Sequence, residues 1–382
     1  MPVTVLMISP TLLLAMLLLV SLTAVTWLFN CLPAQRLRHF EVTRRHSPLD
    51  GIRGVLALSV FTHHFYKNYF FQTTGRWEAP KIYFFNNLGT VPVSIFFLIT
   101  GYLFFNKIRQ PTIDWYDLYR SRVQRILPLY WWLGGCVVVI YLMQQHDALP
   151  ISAWWHWLGR WLSFNNQALD HFYAWPLVAG AAWTLLYEWG FYFCLPILHR
   201  LLHPTQRLTL GNLGVMLVSM LLLYYVVSHT VPRLYWLFFL AGFALWFAAG
   251  CKQLLRRFPI LIGVLLVMLC GYIMFFTHAY SGLQMVLCAV LFCFVANGFD
   301  FFGLLHQQGL KVLGELSYSL YLTHGVVMYV CFNLLNLSDF SQPMSHYVLT
   351  YPLVFLLVVA FAYACYRTIE KPFMYRPHRN RS

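Results

Sequence analysis

Charge is what this sequence has least of. Of its 382 residues, 10% are Asp, Glu, Lys or Arg and 60% are hydrophobic, where an ordinary soluble domain carries about 25% charged residues. Mean hydropathy is +0.61. Such a chain is not a soluble globular domain. It reads as an all-α, polytopic integral membrane protein, because helices satisfy their own backbone inside lipid. Acid is the scarcer sign: 12 Asp and Glu face 26 Lys and Arg, a formal net charge of +14. In a soluble protein that excess would point to nucleic acid. Here the cations lie between apolar runs, so they report topology, and no nucleic-acid partner is expected. Paired cysteines are also missing. The nine cysteines are scattered singly, most of them inside apolar runs (Cys136, Cys194, Cys270, Cys288, Cys293, Cys365). With no CxxC and no metal-ligand spacing, the sequence predicts neither a disulfide framework nor a metal site. Low-complexity segments and repeat motifs are absent too.

What is present is a series of apolar runs. The first, residues 4–30, carries no charge and is long enough to span a bilayer. It lacks the early cationic region and small-residue cleavage site of a signal peptide, so it reads as a retained helix. A basic linker, residues 31–48, follows with Arg36, Arg38, Arg44 and Arg45. Further runs lie near 52–72, 86–106, 125–143, 177–199, 211–229, 234–250, 259–277, 280–299, 313–336 and 347–368, which predicts about eleven transmembrane helices. With the 31–53 loop placed in the cytoplasm, alternation leaves Lys67, Arg76, Lys81, Arg160 and Arg233 outside and the other 21 of the 26 cations inside. The positive-inside rule then sets the N-terminus outside and the C-terminus, with its basic tail 374–382, in the cytoplasm of an inner (plasma) membrane. The longest outer loop, about 144–176, holds Trp154, Trp155, Trp157 and Trp161. That density fits a helix lying in the outer interface or an aromatic platform for sugar rings.

The residues that carry chemistry are the polar ones inside these runs. Leu49 to His64 opens with Asp50-Gly51-Ile52-Arg53-Gly54, turns apolar, and ends on His63 and His64. As a helix it places Arg53 and His64 within ~20° of one face and ~16 Å apart along the axis. His63 points ~100° away. A cation at the surface and an imidazole near mid-bilayer on one stripe need a polar partner. Imidazole titrates near neutrality, so His64 is the candidate base or proton relay, with a plain interhelical hydrogen bond as the alternative. Glu188, in Trp183 to Tyr192, is the one carboxylate placed well inside a run. Its depth from the outer side, ~18 Å, is close to that of His64 from the other. This predicts a His64–Glu188 pair in which the carboxylate orients the imidazole, against a plain structural pairing with an arginine. Arg122 and Arg125 share a face at the cytoplasmic mouth. With Arg53 they form a phosphate-sized cationic cluster, or ordinary positive-inside residues. Ser317, Tyr321 and His324 repeat at helical spacing along another run.

Together these stretches resemble the acyltransferase-3 family of membrane acyltransferases. The family's Arg-ten residues-His spacing is met by Arg53 and His64, and its LDGLRG opening by residues 49–54. Its FFxxSGYL stretch is similar to Phe96 to Leu103, with Thr100 for the usual Ser. Its RxxR is met by Arg122 and Arg125, its WSLxxExxFY by Trp183 to Tyr192, its SYSLYLxH by Ser317 to His324, and its EKP by Glu370-Lys371-Pro372. An acidic residue often precedes the FF pair; Ser94 stands nearby here. The motifs keep family order over residues 49–373, the acyltransferase-3-like membrane domain. The resemblance implies a ten-helix core, to which the helix at 4–30 is extra. It also implies transfer of an acyl group, usually acetyl, from cytoplasmic acyl-CoA to a hydroxyl of a carbohydrate or lipid-linked glycan. On that reading acetyl-CoA is the donor, held by Arg53, Arg122 and Arg125. His64 and Glu188 are catalytic, and Ser317, Tyr321, His324 and His63 support them. Polar residues lining a helix bundle would equally suit a transporter or flippase, but neither inverted repeats nor helices broken mid-span are evident.

Overall fold

A computed structural model describes residues 9–31, 40, 47–144, 149–164, 175–180, 182–205 and 209–374. Arg36, Arg38, Arg44 and Arg45 of the basic linker, and Arg376, Arg379 and Arg381 of the tail, lie outside these. The described residues form helices and no strand. In chain order the helices are α1 (Pro10–Cys31), α2 (Pro48–Thr74), α3 (Tyr83–Ile108), α4 (Trp115–Gln144), α5 (Ile151–Leu162), α6 (Trp183–Leu202) and α7 (Leu210–Ser228). A bent pair follows, α8 (Pro232–Trp246) and α9 (Ala248–Arg257), meeting at 61°. Then come α10 (Pro259–Phe276), α11 (Gly282–Ala296), α12 (Gln308–Glu315), α13 (Ser317–Tyr329) and α14 (Tyr351–Cys365). Both α13 and α14 run into single π-type turns, Val330–Leu334 and Tyr366–Glu370.

The chain is a multi-pass membrane protein. Among the described residues six helices are long and apolar enough to cross a bilayer, or seven with the bent pair taken as one span. Length and composition alone do not establish the eleven spans counted from the sequence. α2 and α6 have 27 and 20 residues, enough to span at ~1.5 Å per residue, but they carry more polar groups because they face the interior. The outward faces of α7 and α10 are apolar and exposed, as surfaces against acyl chains must be. α5 is amphipathic and docks on α4. Trp161 stacks on Tyr130 with centroids 4.7 Å apart, and the Tyr130 hydroxyl donates to the Trp161 carbonyl at 2.7 Å. Trp157 is also buried, while Trp155 remains exposed. The Trp-rich segment is therefore divided between packing and surface.

α2 is the organising helix. Ser47 caps it by accepting from the Leu49 N–H, Pro48 occupies its first turn, and it ends on Gly75 in the left-handed region (φ 72°). These are the start and stop signals a helix uses. α2 packs against α3, α12 and α13. Its approach to α12 and to the Leu304–His306 turn just before it is backbone to backbone. A Cβ at Gly51 would collide with the Leu305 carbonyl, and one at Gly314 with the carbonyl of Asp50. In lipid, small residues are what let helices come this close. A methyl-bearing side chain at Gly314 forces the helices apart at a cost of about 1–3 kcal/mol. Gly314→Val is expected to lower the thermal unfolding midpoint of the detergent-purified protein and its yield of monodisperse material. An unchanged midpoint would show that the contact is loose.

Candidate active site

The cations gather as the helix spacing predicts. α2, α3, α4, α6 and α13 enclose a cavity of about 140 Å³ whose walls include Arg53, Thr100, Phe104, Arg122, Arg125, Thr184, Glu188, Tyr192, Ser317, Tyr318 and Tyr321. Its volume is comparable to a cavity that takes one benzene-sized group. Arg122 and Arg125, three apart on α4, share a face and line this cavity with Arg53, so three guanidinium groups border one chamber. The Arg122 guanidinium lies over the Phe104 ring at 5.5 Å. The Tyr192 hydroxyl donates to Glu188 Oε1 at 2.5 Å, and the charge of Arg122 falls on the same hydroxyl. Thr100 adds a long hydrogen bond to Glu188 at 3.5 Å, so the Thr that replaces a Ser keeps its hydroxyl in use. Tyr318 ties α13 to α4 by donating to the Ile126 carbonyl at 2.7 Å. Two buried atoms on or beside the walls, Arg122 Nε and Ser317 Oγ, have no hydrogen-bond partner among the described residues.

At the inner end of the cavity, the Thr184 and Tyr321 hydroxyls lie 3.1 Å apart. His324 sits one turn further along α13, ~4.5 Å in axial rise, with its ring 6.4 Å from that of Tyr321. His324 is fully buried, whereas His64 is half-buried. His64 Nδ1 lies 2.9 Å from His324 Nε2, and the two ring planes are nearly parallel, 14° apart with centroids 5.0 Å apart. Trp77 folds back from beyond α2 to stack on His64, with centroids 5.9 Å apart. His63 faces elsewhere. Its Nδ1 donates to the Phe85 carbonyl at 2.7 Å, and its ring occupies the space that a Cβ at Gly89 would need.

Residues 47–367 match the family described as an acyltransferase domain, acyltransferase-3. The chain belongs to the acyltransferase-3 family. Among curated relatives it is 28% identical over 169 residues to acyltransferase MdmB of Streptomyces mycarofaciens, covering 42% of this chain and 41% of that one. It is 26% identical over 172 residues to the putative peptidoglycan O-acetyltransferase YrhL of Bacillus subtilis, covering 42% of this chain and 24% of that one. The aligned part thus spans less than half the length of either relative. No solved structure matches the chain.

The acyltransferase-3 motifs converge on this site, with one correction to their pairing. Arg53, Arg122, Arg125, Glu188, Ser317 and Tyr321 share the cavity, and His64 and His324 meet one helical turn beyond Tyr321, outside its walls. The predicted His64–Glu188 pair is not formed: His64 bonds His324, and Glu188 is held by Tyr192 and Thr100. Depth counted along two helices matched, but depth is only one coordinate. α2 packs on α3, α12 and α13, whereas α6 packs on α3 and α7. His63, placed among the supporting residues, is committed to the Phe85 backbone.

A second carboxylate that sequence reasoning passed over is Glu370 of the EKP motif. It is 1% exposed, accepts from the Ser319 hydroxyl at 2.6 Å, and lies in the fields of Arg125 and Arg53. It falls just past the last apolar run, and the π-type turn Tyr366–Glu370 brings it inside. Tyr366 of the same turn donates to Glu315, so that turn is fastened to the end of α12. The fields of Arg125 and Arg53 place Glu370 to act as a counter-charge for the arginine cluster, and removing one partner of such a set typically costs about 3–5 kcal/mol. Glu370→Leu is expected to depress the unfolding midpoint of the purified protein severely. Glu370→Gln, which keeps an acceptor for Ser319, should depress it less. Equal midpoints for Leu, Gln and wild type would show that the carboxylate is not a counter-ion.

Proposed function

We propose that the chain is a membrane O-acyltransferase that moves an acyl group, most simply acetyl, from cytoplasmic acyl-CoA to a hydroxyl of a carbohydrate or lipid-linked glycan at the periplasmic side. The observation that carries this reading is the three-arginine cavity that runs up to Tyr321, one helical turn short of the His64–His324 pair. Guanidinium groups match phosphate oxygens in bidentate geometry, so Arg53, Arg122 and Arg125 hold the CoA phosphates at the mouth. The narrow volume behind them suits the thioester arm and not the nucleotide. The ~16 Å between Arg53 and His64 along α2 is of the order of a pantetheine arm. Glu188 fixes Tyr192, on whose hydroxyl Arg122 also bears, and so keeps the chamber's polar wall in place.

His64 takes the proton of the acceptor hydroxyl as its oxygen attacks the thioester carbonyl. Ser317, whose hydroxyl has no protein partner among the described residues, and Tyr321 are the donors we assign to the developing oxyanion. The carbon–sulfur bond then breaks, and the leaving thiolate recovers the proton from His64. The name of the Bacillus subtilis relative, a putative peptidoglycan O-acetyltransferase, supports an envelope glycan as the acceptor class.

The test is to incubate membranes containing the protein with isotope-labelled acetyl-CoA and identify by mass spectrometry which envelope component gains the label. His64→Ala is expected to abolish the transfer. Arg122→Ala should raise the KM for acetyl-CoA about tenfold or more, in line with the loss of a charge-assisted contact of 1.5–3 kcal/mol. Wild-type transfer by His64→Ala would remove the base, and an unchanged KM for Arg122→Ala would remove the phosphate site.

A further inference from the structure

The two histidines one turn beyond the cavity are not equivalent, and their hydrogen bonds determine which nitrogen of each carries a proton. His324 Nδ1 lies 3.0 Å from the Leu320 carbonyl oxygen, four residues earlier on α13. A carbonyl oxygen only accepts, so His324 Nδ1 carries the hydrogen. In a neutral imidazole the other nitrogen then holds a lone pair. That nitrogen, Nε2, faces His64 Nδ1 at 2.9 Å, so His64 Nδ1 must be the donor. The rings are nearly parallel, 14° apart, so the orientation of one fixes that of the other. One nitrogen remains, His64 Nε2, and it is bare. The chain of bonds thus runs from His64 Nδ1–H to His324 Nε2, and from His324 Nδ1–H to the Leu320 carbonyl.

We propose that His324 is the positioning residue of the site, holding His64 in the one tautomer and ring orientation that presents Nε2 as a base. The proposal rests on the reading of His64 as the base and gives it a partner, the role for which sequence spacing had nominated Glu188. In the familiar triad a carboxylate orients the base and stabilises the imidazolium. Here a neutral imidazole does so, which avoids burying a further anion in the bilayer. The step is balanced: His64 Nε2 receives the acceptor's proton, the acceptor oxygen bonds the thioester carbon, and the carbon–sulfur bond breaks. The thiolate takes the proton back, and His324 keeps its own proton throughout. His63 cannot substitute, because its ring is held by Phe85 and packed over Gly89.

The experiment uses the purified full chain with labelled acetyl-CoA and membranes from a strain lacking the protein as the source of acceptor. His324→Leu is expected to lower the transfer rate at saturating acetyl-CoA by about 10²–10⁴-fold, with the KM for acetyl-CoA within twofold of wild type. His324→Gln, which can offer its amide oxygen near the position of Nε2, should recover the rate to within about tenfold of wild type. A role in packing alone would not separate rate from KM, nor be rescued by Gln. Nitrogen-15 NMR of the histidine-labelled wild-type protein, with His64 assigned by its loss in His64→Ala, reads the tautomer directly even if the Leu variant fails to fold. Nδ1 protonated and Nε2 bare on His64 is the expected state. Full activity in His324→Leu, or the opposite tautomer on His64, overturns the positioning role and leaves the base standing if His64→Ala is inactive. Activity in His64→Ala overturns the base itself.

Discussion

The backbone contact between α2 and α12 sets the register on which the rest of the site depends. Gly51 meets the Leu305 carbonyl and Gly314 meets that of Asp50, so neither helix can slide or roll at that end without a collision. From this anchor the chain continues through α12 into α13 alongside α2. Fourteen residues past Asp50 and ten past Gly314, His64 and His324 come within hydrogen-bond distance. A one-residue shift of either helix would rotate its side chains by ~100° and separate them.

The polar groups fall into two populations. One is satisfied within the protein. Glu188 has Tyr192 and Thr100, and His63 has Phe85, while Glu370 is half met, its Oε2 accepting from Ser319 and its Oε1 without a hydrogen-bond partner among the described residues. The other is left open toward the cavity: Ser317 Oγ and Arg122 Nε lack hydrogen-bond partners among the described residues. In a low-dielectric interior an unmet donor is costly. It is at such atoms that a polar ligand has most to contribute, and their residues line the arginine chamber.

Much of this was legible from spacing alone. Arg53 and His64 share a stripe because eleven residues is nearly three turns, and Arg122 and Arg125 share a face because three residues is nearly one. Ser317 and Tyr321 follow the same rule, and all of these line the cavity or end beside it. Glu370 was legible only as part of the EKP motif; its burial was not, because it follows the apolar run and a π-type turn carried it inside. Trp77, which stacks on His64, lies in a connecting segment with no periodicity to mark it. Nor was the His64–Glu188 expectation a misreading of depth. It lacked the lateral arrangement of helices, which sequence spacing does not contain.

By itself the sequence determined that this chain lives in a membrane, which side chains lie on which stripe of each helix, and which cations share a face. Those properties are local: they follow from hydropathy and from 3.6 residues per turn. The tertiary structure decided which stripes face each other. It placed His324 opposite His64, left Glu188 to Tyr192, and moved Glu370 to the arginines. The physical reason is that helix pairing in lipid is chosen by close packing at a few small residues and by the polar groups that must find partners there. Those are long-range contacts, Gly314 on Asp50 and His324 on His64, between segments more than 250 positions apart.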